Sequence, residues 1–259
     1  MQRMTGLLRR CVEDYNMIED GDKIAIGVSG GKDSLTLLRL MAELKKYYPK
    51  HFEIEAVTID LGLPGMDFSG VEAFCRSLDV PYTVVKTEIG PIIFDYRHEK
   101  NPCSMCAKMR RGALNQLIRE KGIHKIALGH HYDDAVETFL MSLLFEARIS
   151  CFQPVTHLDR TDVTQIRPML YLEEKDIRAF AEKQGLPIVH NECPADHHTK
   201  REEVKDLIRE LSKTYPHLKS NVFGAMQRYP LEAWGVVPHK RGAKKKNKLR
   251  NQTKKACCN

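Results

Sequence analysis

Apolar positions change period along this chain, and each change marks a boundary between helix and strand. Leu7, Leu8, Cys11, Val12 and Tyr15 fall on one stripe of a short amphipathic helix within residues 1–20. The run Lys23-Ile24-Ala25-Ile26-Gly27-Val28 predicts a strand, and it enters Ser29-Gly30-Gly31-Lys32-Asp33-Ser34. Behind that hexapeptide Leu37, Leu38, Met41 and Leu44 share a helical face. A strand is expected at about 53–59, ending at Asp60, then a helix near 69–79 closed by Val80-Pro81 and a strand at about 82–86. The segment 104–121 reads as helix and is followed by a strand Lys125-Ile126-Ala127-Leu128. After Asp133-Asp134 a helix begins with Val136, Phe139, Leu140, Leu143 and Leu144 facing inward. Beyond Pro154 come a short strand at 163–166, a helix from Glu173 to Gln184, and helices near 200–214 and 217–229.

Strands alternating with helices at this spacing imply βαβ units, hence an α/β fold built on an open parallel sheet with helices on both faces. The loops that leave the strand C-termini then gather along one edge, where such sheets bind ligands. The segments at Ser29, Asp60 and Gly129 all belong to that edge. The expected organisation is an N-terminal helix over 1–22, the α/β core over 23–169, a helical C-terminal part over 170–238 and a basic tail over 239–259. No internal repeat is present.

Charge sharpens this picture at one end. The chain of 259 residues carries a formal net charge of +7, yet from His239 onward there are nine Lys/Arg and no Asp or Glu. The body is left with 32 basic and 34 acidic residues, close to neutral. Like charges repel and nothing apolar offsets the cost of ordering, so the tail is predicted to be disordered, a solubilising end or a non-specific phosphate binder. With 42% hydrophobic residues the rest has ample material for a core. No stretch approaches the roughly 18 apolar residues of a membrane span, and Met1–Arg10 lacks an apolar core behind its basic residues. The expectation is a soluble cytoplasmic protein with no membrane attachment.

Chemistry concentrates first in Ser29-Gly30-Gly31-Lys32-Asp33-Ser34, between strand and helix. Two glycines let the backbone approach a phosphate, the following helix offers free N–H groups, and Lys32 adds a compact charge. The spacing is not that of a Walker A loop. Gly129-His130-His131-Tyr132-Asp133-Asp134 stands at the mouth of a later strand, where paired carboxylates can hold Mg²⁺, orient a cation or cap the next helix. One of the two is expected to cap and the other to act.

Eight cysteines in a cytosolic chain of this size do not read as a disulfide framework. Cys11, Cys75 and Cys151 read as structural thiols, and Cys257 and Cys258 as incidental to the tail. Cys103 and Cys106, separated by two residues, could bring two thiolates to one metal centre, with Cys193 following 87 residues later. Three thiolates leave one iron of a four-iron cluster open. His197 would complete a Cys₃His zinc site instead, and a persulfide relay between Cys103 and Cys193 is a third option. Arg110 and Arg111 follow Cys106 by about one helical turn, so one of them is expected near the metal edge. The run Pro194–Arg201 could contact RNA or cap the next helix.

The hexapeptide resembles the PP-loop of the ATP pyrophosphatases, whose fold is the adenine nucleotide alpha hydrolase-like one. Over roughly residues 5–235 the chain is similar to the tRNA 2-thiocytidine synthetases. The likeness rests on that loop, Cys103-Ser104-Met105-Cys106 with Arg110-Arg111-Gly112, the His130-His131 form of the second motif, Arg167-Pro168-Met169-Leu170-Tyr171 and Cys193-Pro194. It implies ATP as cosubstrate with Mg²⁺, a [4Fe-4S] cluster held by Cys103, Cys106 and Cys193, and a tRNA substrate. An anticodon-loop cytidine, at position 32, would be adenylated on its 2-oxo group and receive sulfur there. Under this resemblance Lys32, Asp33, Arg110, Asp133 and Asp134 are catalytic. Ser29, Gly30, Gly31, Lys32, Asp33, Ser34, Asp60 and Gly129 bind the nucleotide. A sulfur donor such as a cysteine desulfurase and a homodimer are implied as well. The alternatives are thiolation of a tRNA uridine, lysidine synthesis, an adenylating enzyme with structural zinc, and a non-enzymatic RNA binder working through its tail. The uridine thiolases commonly add Cys/His zinc knuckles at their ends, which this chain lacks.

Overall fold

The computed structural model describes residues 1–97, 102–189, 200–228 and 234. At its centre is β1 (Asp22–Gly27), flanked by β2 (Phe52–Asp60) and β4 (Lys125–Ala127), with β3 (Tyr82–Lys86), β5 (Val155–Leu158) and β6 (Val163–Ile166) outside them. The sheet order is β3-β2-β1-β4-β6-β5. Neighbours pair in parallel except β5, which runs antiparallel to β6 with Val155 opposite Ile166. The α/β expectation therefore stands, with one reversed edge strand added. That strand escaped the sequence reading because it is four residues long and only partly buried.

The helices are α1 (Gln2–Asp14), α2 (Lys32–Lys45), α3 (Ser69–Ser77), a short α4 (Ile89–Pro91), α5 (Pro102–Glu120), α6 (Tyr132–Phe145), α7 (Glu174–Gln184), α8 (Lys200–Thr214) and α9 (Leu218–Arg228). Between α4 and α5 the chain adds a π-helical turn, Ile92–Tyr96. Gly90-Pro91 disguised this segment, yet proline is tolerated in a first helical turn, where no N–H is required.

Side chains alternate across β1, so its Ile24 and Ile26 face one core and Ala25 the other. The first core takes in α1, α2, α3 and α6 through α9, together with Trp234. Leu8, Cys11 and Val12 of α1 are completely buried in it. The second core joins β2 and β4 to Ile118 of α5 and to Ile89 and Ile93. With both faces covered, the parallel strands can be apolar on both sides. Their C-terminal ends, carrying Val28, Asp60 and Leu128, lie on one rim, and the candidate site is there. Among the described residues no helix is long and apolar enough to cross a membrane. Cys193, His197, the 239–259 tail and its Cys257 and Cys258 lie outside the described residues.

Candidate active site

Val28 still bonds the sheet, its N–H reaching the Val57 carbonyl at 2.8 Å, and the turn starts immediately after it. Gly30 has φ +85°, and a Cβ there would lie 2.8 Å from Cβ of Val189, so only glycine fits. Gly31 enters α2 with extended backbone and no side chain caps the helix, leaving its first amides directed at the rim. Ser34 ties the turn together. Its Oγ accepts from the Ser29 N–H (3.1 Å) and Ser29 Oγ (3.2 Å) and donates to the Gly31 carbonyl (2.9 Å). Gly129, on the loop after β4, closes the other side: a Cβ there would meet Asp33 C and Ser34 N at 3.2 Å. Asp60 ends β2 with Oδ1 accepting from Gly62 N–H at 2.9 Å.

Lys32 lies between two carboxylates, with Nζ 3.1 Å from Asp33 Oδ2 and 3.1 Å from Glu174 Oε1. Burial works against its charge, but Asp33 and Glu174 outweigh burial and raise its pKa. Asp33 Oδ1 is buried and has no hydrogen-bond partner among the described residues.

The two aspartates of the second motif are both engaged, where one was expected to be free. Asp134 Oδ2 caps its own helix by accepting from the His131 N–H at 2.9 Å, while Oδ1 pairs with Arg201 at 3.2 Å. Asp133 caps α7 instead, accepting from the Glu174 N–H at 2.7 Å, and pairs with Lys219 of α9 at 2.5 Å. His131 is buried among the carboxylates, Nε2 being 3.4 Å from Asp134 and 3.8 Å from Asp33. His130 packs on Phe152 with ring centroids 4.9 Å apart. Burial, reinforced by the charge of Arg167, lowers its pKa to about 4, so it is neutral at physiological pH.

Sequence reasoning missed the residues that join these parts. Glu137 of α6 is buried and takes Arg201 at 2.9 Å and Lys205 at 4.0 Å. Lys205 also lies 3.6 Å from the second oxygen of Glu174. A chain of ion pairs thus runs from Lys32 through Glu174, Lys205, Glu137 and Arg201 to Asp134. The sequence did carry one signal: Glu137 is a charge next to the buried Val136 of α6, which requires a buried partner, whereas Leu143 and Leu144, expected to face inward at the end of that helix, are exposed. Arg201 lies in the run read as an RNA contact or a helix cap, and here it clamps α8 onto α6.

Cys103 and Cys106 lie one turn apart at the start of α5, where i and i+3 share a face. Cys103 is exposed; Cys106 is half-buried beside Met105 and Met109. Arg110 is half-buried one turn further on, and Arg111 is exposed. Burial, with a smaller contribution from the charge of Arg111, lowers the pKa of the Arg167 guanidinium to about 10; that group donates to the Gln153 carbonyl at 2.5 Å and Thr156 Oγ1 at 3.1 Å. Cys193 itself lies outside the described residues, but both described flanks of its segment meet the loop region. The Val189 N–H donates to the Gly30 carbonyl at 3.0 Å, and Arg201 holds Asp134.

A family model for the PP-loop domain matches residues 4–211. A tRNA-cytidine(32) 2-sulfurtransferase from Syntrophotalea carbinolica is 38% identical over 229 residues, covering 87% of each chain. One from Pelobacter propionicus is 39% identical over 228 residues, 87% of this chain and 85% of the relative. Among solved structures, the U34-tRNA thiolase NcsA from Methanococcus maripaludis with its [4Fe-4S] cluster is similar at a TM-score of 0.71. It is 26% identical, over 88% of this chain and 78% of that one.

Proposed function

The chain belongs to the PP-loop family of tRNA-cytidine(32) 2-sulfurtransferases, and from that premise we propose that it uses ATP to replace the 2-oxo group of an anticodon-loop cytidine with sulfur. One observation carries the reading to these residues. The segment containing Cys193 is entered at Val189, bonded to Gly30 of the phosphate loop, and left at Arg201, bonded to Asp134.

ATP phosphates would lie on the open amides of α2, with Lys32 neutralising the charge that grows as pyrophosphate leaves. The cytidine O2 bonds to the α-phosphorus as the bond to the β-phosphate oxygen breaks. Asp33 Oδ1, which accepts no hydrogen bond among the described residues and has His131 Nε2 3.8 Å away, would hold the Mg²⁺ that accompanies ATP. His131 Nε2 lies within 3.8 Å of Asp33 and 3.4 Å of Asp134 and so links the loop to the second motif, and Asp133 docks α7 so that Glu174 meets Lys32. Arg110, on the Cys106 side of α5, would meet the charge on the activated base.

Cys103 and Cys106 fit a cluster, being soft thiol donors one helical turn apart, with Cys193 as third ligand. When bound, a [4Fe-4S] cluster supplies an iron without a protein ligand, on which sulfur can be carried. Sulfur would come from a donor such as a cysteine desulfurase.

The test is anaerobically purified protein with tRNA, ATP and a sulfur source, read by nucleoside mass spectrometry. 2-Thiocytidine that disappears in Lys32→Ala and Cys193→Ala supports the reading. 2-Thiouridine would move it to the other base. Zinc without acid-labile sulfide, and no thiolated nucleoside, would overturn it.

A further inference from the structure

Beside the phosphate loop α6, α7, α8 and α9 enclose a groove of about 390 Å³. Its lining includes Arg178, Lys205, Arg209 and Lys219 above Asp133, Glu137 and Glu174. The two signs are layered. The carboxylate side chains are 7%, 4% and 20% exposed, whereas Arg178, Arg209 and Lys219 are 63%, 74% and 40% exposed. An approaching anion therefore meets guanidinium and ammonium groups first; Glu174 and Asp133 hold Arg178 and Lys219 from beneath, while Arg209 pairs at 3.0 Å with the exposed Asp206 on its own helix, a surface pair that a phosphate can displace.

Arg201, Lys205 and Arg209 recur every fourth residue, so they form one stripe of α8 about 12 Å long. At one end Arg201 grips Asp134 of the second motif. In the middle Lys205 shares Glu174 with Lys32 of the phosphate loop. At the other end Arg209 faces outward, with Arg178 of α7 and Lys219 of α9 beside the groove. A cationic track thus starts where ATP would bind and leads away across the surface.

We propose that this groove binds the phosphodiester backbone of the tRNA beside the base being modified. The inference rests on the tRNA reading above and adds to it the surface that holds the RNA. Exposed arginines suit the task because their forked donors match phosphate oxygens, and a backbone contact allows the base itself to be turned into the site.

The test uses the full chain and the double variant Arg178→Ala/Arg209→Ala, with tRNA affinity measured across a salt series. The expected result is a salt slope reduced by about two and a KM for tRNA raised about tenfold, with the KM for ATP and the iron content unchanged. Lys46→Ala/Arg76→Ala, which removes the same charge from α2 and α3 surroundings, should leave the slope near wild type. An equal fall in both variants would reduce the effect to net charge and overturn the proposal. So would an unchanged slope, or weakened binding of inorganic phosphate without any change for tRNA. A wild-type chain that binds tRNA while the groove variant is unaltered sinks the groove alone; one that neither binds nor thiolates tRNA sinks the reading beneath it.

Discussion

Glu174 divides its carboxylate between two lysines, one oxygen 3.1 Å from Lys32 and the other 3.6 Å from Lys205. The first lysine belongs to the phosphate loop and the second to α8, so a single side chain fixes the tip of Lys32 relative to the C-terminal helices. Replacing it with glutamine removes the charge while keeping the shape. Glu174→Gln should lower pyrophosphate release by about tenfold, because a loosened ammonium stabilises the transferring phosphate less well. An unchanged rate in a tRNA-dependent pyrophosphate assay would show that Asp33 alone positions Lys32.

The same pair gives stability an acid limb. Burial opposes the charge on Glu174, but the hydrogen bond and charge of Lys32, aided by Lys205, prevail and hold its pKa down at about 2. A depressed folded-state pKa contributes stability that is fully present above the unfolded value and is lost as pH falls toward the folded one. Wild type should therefore exceed Glu174→Gln by about 1 kcal/mol near neutrality, after solvent screening of a partly exposed pair. Denaturant titrations should show the gap shrinking from about pH 5 to about pH 2. A gap that grows on acidification would contradict the assignment.

Two glycines offer a contrast in the same measurement. Gly30 combines φ +85° with a neighbour 2.8 Å from any Cβ, so Gly30→Ala should cost about 2 kcal/mol or more and weaken ATP binding. Gly6 is in the exposed face of α1 with nothing within 4 Å of a Cβ. Gly6→Ala should gain up to about 1 kcal/mol of helix propensity. Thermal melts of the two variants moving in the same direction would refute this account.

Cysteine reactivity should separate the thiols by environment. Burial pushes Cys151 up to about 12 and Cys75 up to about 11, and raises the fully buried Cys11 as well. Cys151 also donates to the Ala135 carbonyl at 3.4 Å. In cluster-free protein at neutral pH, iodoacetamide followed by peptide mapping should modify exposed Cys103 well before these three. Early labelling of Cys151 would mean that this part of the core opens readily.

The parts of the site built from neighbours in sequence were legible there. The strand, the two glycines and the helix of the phosphate loop came from local pattern alone, and so did the pairing of Cys103 with Cys106 on one turn. What was hidden depends on distant partners. Glu174 fell inside the expected helix from Glu173 to Gln184 without being singled out, and nothing local tells that Lys32 would meet it. Asp133 and Asp134 looked alike in sequence, yet one caps a helix forty residues away and the other its own, because their side chains leave α6 in different directions. β5 was hidden for another reason: at four residues and only partly buried, it carries too little pattern of its own.

The bond from the Val189 N–H to the Gly30 carbonyl also orders events in time. The phosphate loop is translated early, but the wall opposite Gly30 arrives only after more than half the chain has followed. Closing so long a loop is slow compared with local helix formation. On the ribosome, the nascent chain can pair β1 with β2 well before Val189 emerges from the exit tunnel. The turn at Gly30 consequently gains its facing wall later than its own strand and helix.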